Sequence, residues 1–320
     1  MGSIRSTQST IHKPVMVHEV IRYLGCARGG LFVDGTLGTG GHTLAILQHS
    51  PATTRVIGID RDPESLALAW ERLKPYSNRI RLIQGKFGDL KDHLSRLGIK
   101  AVNGILLDLG FSSFQIENPG RGFSFQREDP LDMRMDQTQG ISIQEWLAKT
   151  SEKELVRVLQ EYGEEKRARK IARMIMAFQA KGLLGTTREL AELVSRSIPK
   201  GGKIHPATRT FQALRIQVND ELTQLTAFLE QFLETLTDGG RVCLIAYHSL
   251  EDRLIKQAFL QLERGVTDPL GLVGPYRPQN QPPFKRVTPK PIIPSQEEMG
   301  ENPRSRGAKL RVGERMEGDH

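Results

Sequence analysis

Up to Asp108 the chain alternates short β-rich runs with helical stretches, and no other feature narrows its fold as far. Leu31–Asp34, Val56–Asp60, Ile80–Ile83 and Ile105–Asp108 read as strands. His42–His49 and Pro63–Lys74 read as helices between them. This βαβαβ rhythm predicts a parallel sheet covered on both faces. Arg241–Ala246 reads as a fifth strand, entered through the turn Asp238-Gly239-Gly240.

More than 130 residues separate the fourth strand from the fifth, too many for one crossover. An inserted helical domain is therefore expected, with 137–215 as the insert and 1–136 plus 216–320 as the sheet domain. Ser151 with Glu154, and Thr186 with Glu189, have the spacing of capping boxes. Glu164–Ala180 reads as a basic helix with Ile171, Met174, Ile175 and Phe178 on one face. A long helix is expected to open at Pro206. Phe211, Leu214, Val218, Leu222, Leu225, Leu229, Phe232 and Leu236 recur along it at helical steps, which would carry the chain back to the sheet. Gly271–Lys290, rich in Pro and Gly, reads as loop.

Charge narrows the class of partner. Lys and Arg number 45 against 37 Asp and Glu, a net charge of +8. From Glu164 to Arg215 there are 12 basic residues against 4 acidic ones, which matches that whole excess. Such a segment is either a solvated helix face or a surface that tracks phosphates. No apolar run approaches the ~18 residues of a membrane span. Met1–Thr10 is polar, so no secretory signal is expected and the cytoplasm is the expected compartment. Two cysteines, Cys26 and Cys243, make neither a disulfide framework nor a four-Cys zinc site, and no metal is expected.

The stretch Val33–His42 runs from a strand through a glycine-rich turn into a helix. Glycines there let the backbone approach a ligand, and the helix start offers free amides. Asp60, 19 residues beyond Gly41 at the end of the next strand, stands where an acidic residue holds a ribose diol. The dinucleotide fingerprint fails, because Thr43 occupies its third glycine position, and no Walker sequence is present. Asp34, just before the turn, would repel a pyrophosphate but suits a cationic amino-acid end. S-adenosylmethionine is the ribose cofactor that fits; the alternative is an ordinary α/β turn with a capping Asp.

Asp108 follows the fourth strand and Tyr247-His248-Ser249 the fifth, on the side of an open sheet where ligands sit. Asp108 would thus lie near the cofactor's reactive end, unless it caps the next helix. His248 is either beside it or simply packed. Methylation at carbon 5 of a pyrimidine needs a thiolate that adds to the ring. Neither cysteine sits where such nucleophiles do, which leaves direct transfer to nitrogen or oxygen.

Blocks along the whole chain resemble the bacterial 16S ribosomal RNA cytosine-N4 methyltransferase family. They are His12–Met16, Asp34-Gly35-Thr36, Gly40-Gly41-His42, Leu107–Gly110 with Ser112-Ser113, Arg121–Phe125 and Pro130–Asp136. His205–Ala213, His248–Arg253 and Asn302-Pro303-Arg304 continue the series. The resemblance implies a class I methyltransferase fold, Rossmann-like and mostly parallel, with a helical insert that helps to grip RNA. It implies methylation of the N4 amine of a decoding-centre cytosine, cytosine 1402, in the small ribosomal subunit. Its cofactor contacts fall on Gly40, Gly41, His42, Asp60, Phe87, Asp108 and Gln115, with Asp108 also catalytic. Phe87 would pack on the adenine, or else be a core Phe; Gln115 would offer an amide near the methionine end, or else be solvated. Phe111 and Phe114 depart from the family's Val and Pro, and Ile116-Glu117 from its Leu-Asp. The expected partners are 16S rRNA and the small subunit, with no membrane and a homodimer left open. Competing readings are a methyltransferase with another substrate and a non-catalytic RNA-binding module.

Overall fold

The computed structural model describes residues 14–198, 205–266, 270 and 282–317. Among these, seven strands form one sheet: β1 (Leu31–Asp34), β2 (Arg55–Asp60), β3 (Ile80–Gln84), β4 (Val102–Asp108), β5 (Leu236–Ala246), β6 (Phe284–Arg286) and β7 (Lys309–Arg315). The order is β3-β2-β1-β4-β5-β7-β6. β1 to β5 pair in parallel, while β7 runs antiparallel between β5 and β6. This is the mostly parallel, Rossmann-like arrangement expected. All five expected strands form.

Two of the sequence expectations about the sheet need correction. Asp238-Gly239-Gly240 does not precede β5 but lies inside it. The register shifts there, from Val102 opposite Leu236 to Gly104 opposite Arg241, so the glycines form a bulge rather than a connecting turn. The Pro/Gly-rich tail is not all loop, because Phe284–Arg286 pairs with β7 as an edge strand; residues 271–281 of that tail, like His12 and Lys13, lie outside the described residues.

Parallel strands are buried on both faces, which is why they read as continuous apolar runs. Alternate residues go to opposite sides. Val33, Ile57 and Ile105 join one core, and Phe32, Val56 and Leu106 the other. α1 (Val17–Leu24), α2 (Gly41–Gln48) and α3 (Pro63–Leu73) cover the second face. α4 (Leu90–Arg96) contributes to the first, and α5 (Ser113–Glu117) is a short turn of helix after β4.

A third core joins α6 (Ile143–Lys149), α7 (Glu152–Glu161), α8 (Ala168–Gln179), α9 (Thr187–Ser197) and α10 (Thr208–Asn219). Thr186 and Glu189 make the full capping box; Ser151 caps α7 through the Glu154 N–H without the reciprocal bond. The basic helix starts later than its sequence implies. Glu164 has a φ of 48°, and Glu165 accepts the Arg167 N–H, so Glu164–Arg167 forms a turn ahead of α8.

The long helix is two. α10 ends at Asp220, whose φ of 52° lies in the left-handed region, and α11 (Glu221–Gln231) starts there. Phe211 and Leu214 point into the helical core, whereas Leu225 and Leu229 point into the sheet core. Two cores in different directions cannot be served by one straight stripe. Leu236, the last residue of the period, belongs to β5. α12 (Ser249–Glu263) and α13 (Gln296–Glu301) complete the chain.

Candidate active site

The carboxyl ends of β1, β2 and β4 converge on the glycine turn. Gly35 N–H donates to Leu106 O at 2.9 Å, Leu37 N–H to Ile59 O at 3.0 Å, and Gly38 N–H to Asp60 Oδ2 at 2.6 Å. A Cβ on Gly35 would stand 2.4 Å from Leu107 Cδ2, and Gly40 has a φ of 80°, so a side chain would be crowded at the first position and strained at the second. Asp34 is buried and accepts the Thr43 hydroxyl at 2.8 Å. Burial pushes its carboxyl up, while His42 and Thr43 oppose this.

Asp60 is tied to the turn it serves. Its two oxygens accept the N–H groups of Gly38 and Asp62. Burial raises its carboxyl to about 6 despite those donors. Each oxygen keeps a further lone pair for hydroxyl donors. Phe87 is half-buried below the turn and packs edge-on against Phe228 at 6.2 Å between centroids.

Gln115 is buried rather than solvated. It sits in α5 as the third residue of a capping box with Ser112, and its amide donates to Asp62 Oδ2 at 2.9 Å. Asp62 is the hub here. It caps α3 through the Glu64 N–H and takes Arg121 Nη2 at 2.6 Å. Arg121, 3% exposed, also donates to Met135 O, which fastens the 121–136 segment to the sheet edge.

Asp108 stands at the end of β4 with its N–H donating to the Thr36 hydroxyl at 2.6 Å. The Tyr247 hydroxyl donates to Asp108 Oδ1 at 2.7 Å, and His42 Nε2 lies 3.4 Å from Oδ2. Burial and the neighbouring Asp108 raise the Tyr247 phenol well above its ordinary range, so it remains a donor. His248 does not face Asp108. It caps α12, with Nδ1 accepting the Glu251 N–H and Nε2 at 3.1 Å from Glu251 Oε1. Glu251 in turn accepts the Tyr247 N–H at 2.8 Å. Burial works to raise the Glu251 carboxyl, but His248 brings it below its ordinary value.

Both ring nitrogens of His42 are buried without a hydrogen-bond partner among the described residues. An orphaned imidazole at a helix start, a glycine turn crowded against side chains and three acidic strand ends fit a cationic cofactor that carries a ribose. Burial pushes the Cys26 thiol up to about 12 and Cys243 higher still, so neither supplies a thiolate. Ligand atoms of Glu221, His248 and Glu251 lie within 4.8 Å of one another, but the Arg215 guanidinium already clamps Glu221 through two bonds of 2.7 Å.

Sequence reasoning singled out the Asp34, His42, Asp60 and Asp108 positions, which the structure brings together. It gave no role to Tyr247, Asp62, Arg121 or Glu251. The signal for Tyr247 was its place directly after the fifth strand, beside His248. Lys166, Arg167, Arg169 and Lys170 are exposed around the start of α8 and line one concavity with Gln160.

Comparison with known proteins places these residues in context. The profile of the MraW methylase family matches residues 9–316. A ribosomal RNA small subunit methyltransferase H of Geotalea uraniireducens is 44% identical over 312 residues, covering 95% of this chain and 98% of that one. The protein of the same name from Nitrosococcus oceani is 45% identical, covering 95% and 97%. That from Carboxydothermus hydrogenoformans is 42% identical, covering 95% and 98%.

Proposed function

Because the chain belongs to the MraW methylase family, we propose that it methylates the exocyclic N4 amine of a decoding-centre cytosine in 16S rRNA of the small subunit. The observation that carries this reading is the Asp108 carboxylate, set between Tyr247 and His42 beside the glycine turn. Gly40, Gly41, His42, Asp60, Phe87, Asp108 and Gln115 would hold S-adenosylmethionine, which supplies an electrophilic methyl group when bound. The rest falls to this chain's own residues.

The N4 amine of cytosine is a poor nucleophile, since its lone pair is delocalised into the ring. Asp108 accepts a hydrogen bond from that amine and orients the lone pair. The carboxylate also stabilises positive charge as it develops on nitrogen, which is help given mainly in the transition state. Tyr247 fixes one Asp108 oxygen by donating to it, and Glu251 fixes Tyr247 through its backbone N–H. The helical unit, proposed as residues 137–215, grips RNA with its cationic surface. No described helix is long and apolar enough to cross a membrane.

A radiolabelled transfer assay with small subunits that lack the modification, followed by nucleoside analysis, tests the proposal. Label recovered in N4-methylcytidine is expected. Label in another nucleoside, or none in RNA, would overturn the assignment.

A further inference from the structure

Beside the helical unit, Arg188, Glu192, Ser195 and Arg196 of α9 line an open concavity of about 500 Å³ together with Phe125 and His205. The two rings stack at 4.4 Å between centroids and 18° from parallel. Phe211 braces Phe125 from behind, edge-on at 5.2 Å, and His205 Nδ1 is held by the Ala207 N–H. The result is a fixed aromatic floor whose outer ring, His205, is exposed.

Both arginines flank that floor. Arg188 lies 3.4 Å from Glu128, and Arg196 3.9 Å from Glu192, in pairs whose four side chains are all more than half exposed. Exposed pairs of this kind contribute little, so either guanidinium can exchange its carboxylate for a phosphate, which it can bind through two bonds. A flat π surface beside exposed guanidinium groups matches the two parts of a nucleotide.

The geometry points to a nucleotide subsite in which an unpaired base of the RNA substrate stacks on His205 and its phosphate pairs with Arg188 or Arg196. The subsite shares no residue with the glycine turn or the strand ends, so its occupant is a nucleotide other than the one methylated. This rests on the RNA substrate proposed above. Unpaired bases stacked on aromatic side chains are how proteins commonly hold single-stranded RNA.

The test is fluorescence anisotropy of a labelled single-stranded RNA of roughly ten nucleotides, with the full-length protein. His205→Asn keeps an acceptor for the Ala207 N–H and removes the aromatic ring; His205→Phe keeps a ring and removes that acceptor. Loss of one stacked base is expected to weaken binding roughly 5- to 150-fold in the Asn variant, with near wild-type affinity in the Phe variant. Arg188→Gln and Arg196→Gln should flatten the salt dependence, by a slope of ~0.7 for each phosphate no longer neutralised. The reverse order, Asn normal and Phe weak, would overturn the subsite by reducing His205 to a support for the Ala207 N–H. Equal binding by all variants would overturn it as well. The readout needs no methyl transfer, so failure of the subsite and failure of the proposed activity are separable.

Discussion

Asp60 and Asp108 end the two strands that flank β1, yet their surroundings give them different work. Asp60 is clasped by two backbone N–H groups and raised to about 6 by burial. A ribose diol donates best to its ionised form. As pH falls through about 6 the group takes a proton, so cofactor affinity should fall with it. The folded value exceeds the ordinary 3.8, so protonation favours the folded chain. The stability this gives is present below pH ~4 and lost as pH rises through about 6. Calorimetry from pH 5 to 8 should show affinity falling on the acid side in the native protein. Asp60→Ala should bind weakly at every pH, by roughly 10- to 150-fold for a lost charge-assisted bond of ~1.5–3 kcal/mol. A flat native profile, or unchanged affinity in a folded variant, would remove Asp60 from the ribose. Asp108 instead meets the reacting amine. Asp108→Asn keeps the shape and removes the charge, and single-turnover transfer at saturating cofactor should fall by on the order of 10²-fold. Tyr247→Phe should lower the same rate by at least about 10-fold, because the carboxylate loses its phenol donor. Near-normal rates in both variants would confine Asp108 to cofactor binding.

Among the elements, the break at Asp220 does most to assemble the site. Asn219, just before it, donates to Met133 O and accepts the Met135 N–H, and its own carbonyl accepts Arg61 Nη1. Arg215 and Glu221 pair across the break. A straight helix would hold these groups on one line and could not serve both the loop and the strand end. α8 shows the opposite case, where charge rather than packing sets the role. Its first turn and the residues just ahead of it carry Lys166, Arg167, Arg169 and Lys170, all exposed; among the described residues only Arg167 of these donates to a protein carbonyl, Ser197 O. Neutralising the four should weaken RNA binding and reduce the salt slope by ~0.7–0.9 for each phosphate that the chain ceases to neutralise. Cofactor affinity should stay constant. An unchanged slope would show that this turn is only a solvated face.

At the scale of the molecule, one buried ion pair joins the 121–136 segment to the sheet. Arg121 and Asp62 are 3% and 0% exposed. Removing one partner leaves the other charge buried and unpaired, so Arg121→Met should cost ~3–5 kcal/mol in denaturant unfolding. A loss below ~1 kcal/mol would mean that water replaces the guanidinium. The strands, the glycine turn and the acidic strand ends were legible in the sequence, because each is written in neighbouring residues: apolar runs, a Gly cluster, an Asp at a run's end. The same local grammar misread Phe211–Leu236 as one helix, since its period continues through Asp220 while its apolar stripe changes partner. It put the Tyr247 stretch beside Asp108 without giving Tyr247 a bond to it, and was silent on Gln115 and Arg121 meeting at Asp62; these contacts bring together residues 139, 53 and 59 positions apart. Periodicity and turn chemistry act over a few residues, so the sequence alone determined the elements and the ends at which ligands gather. Which side chains touch there depends on strand order and on where a helix breaks, and only the packing of three cores decided that.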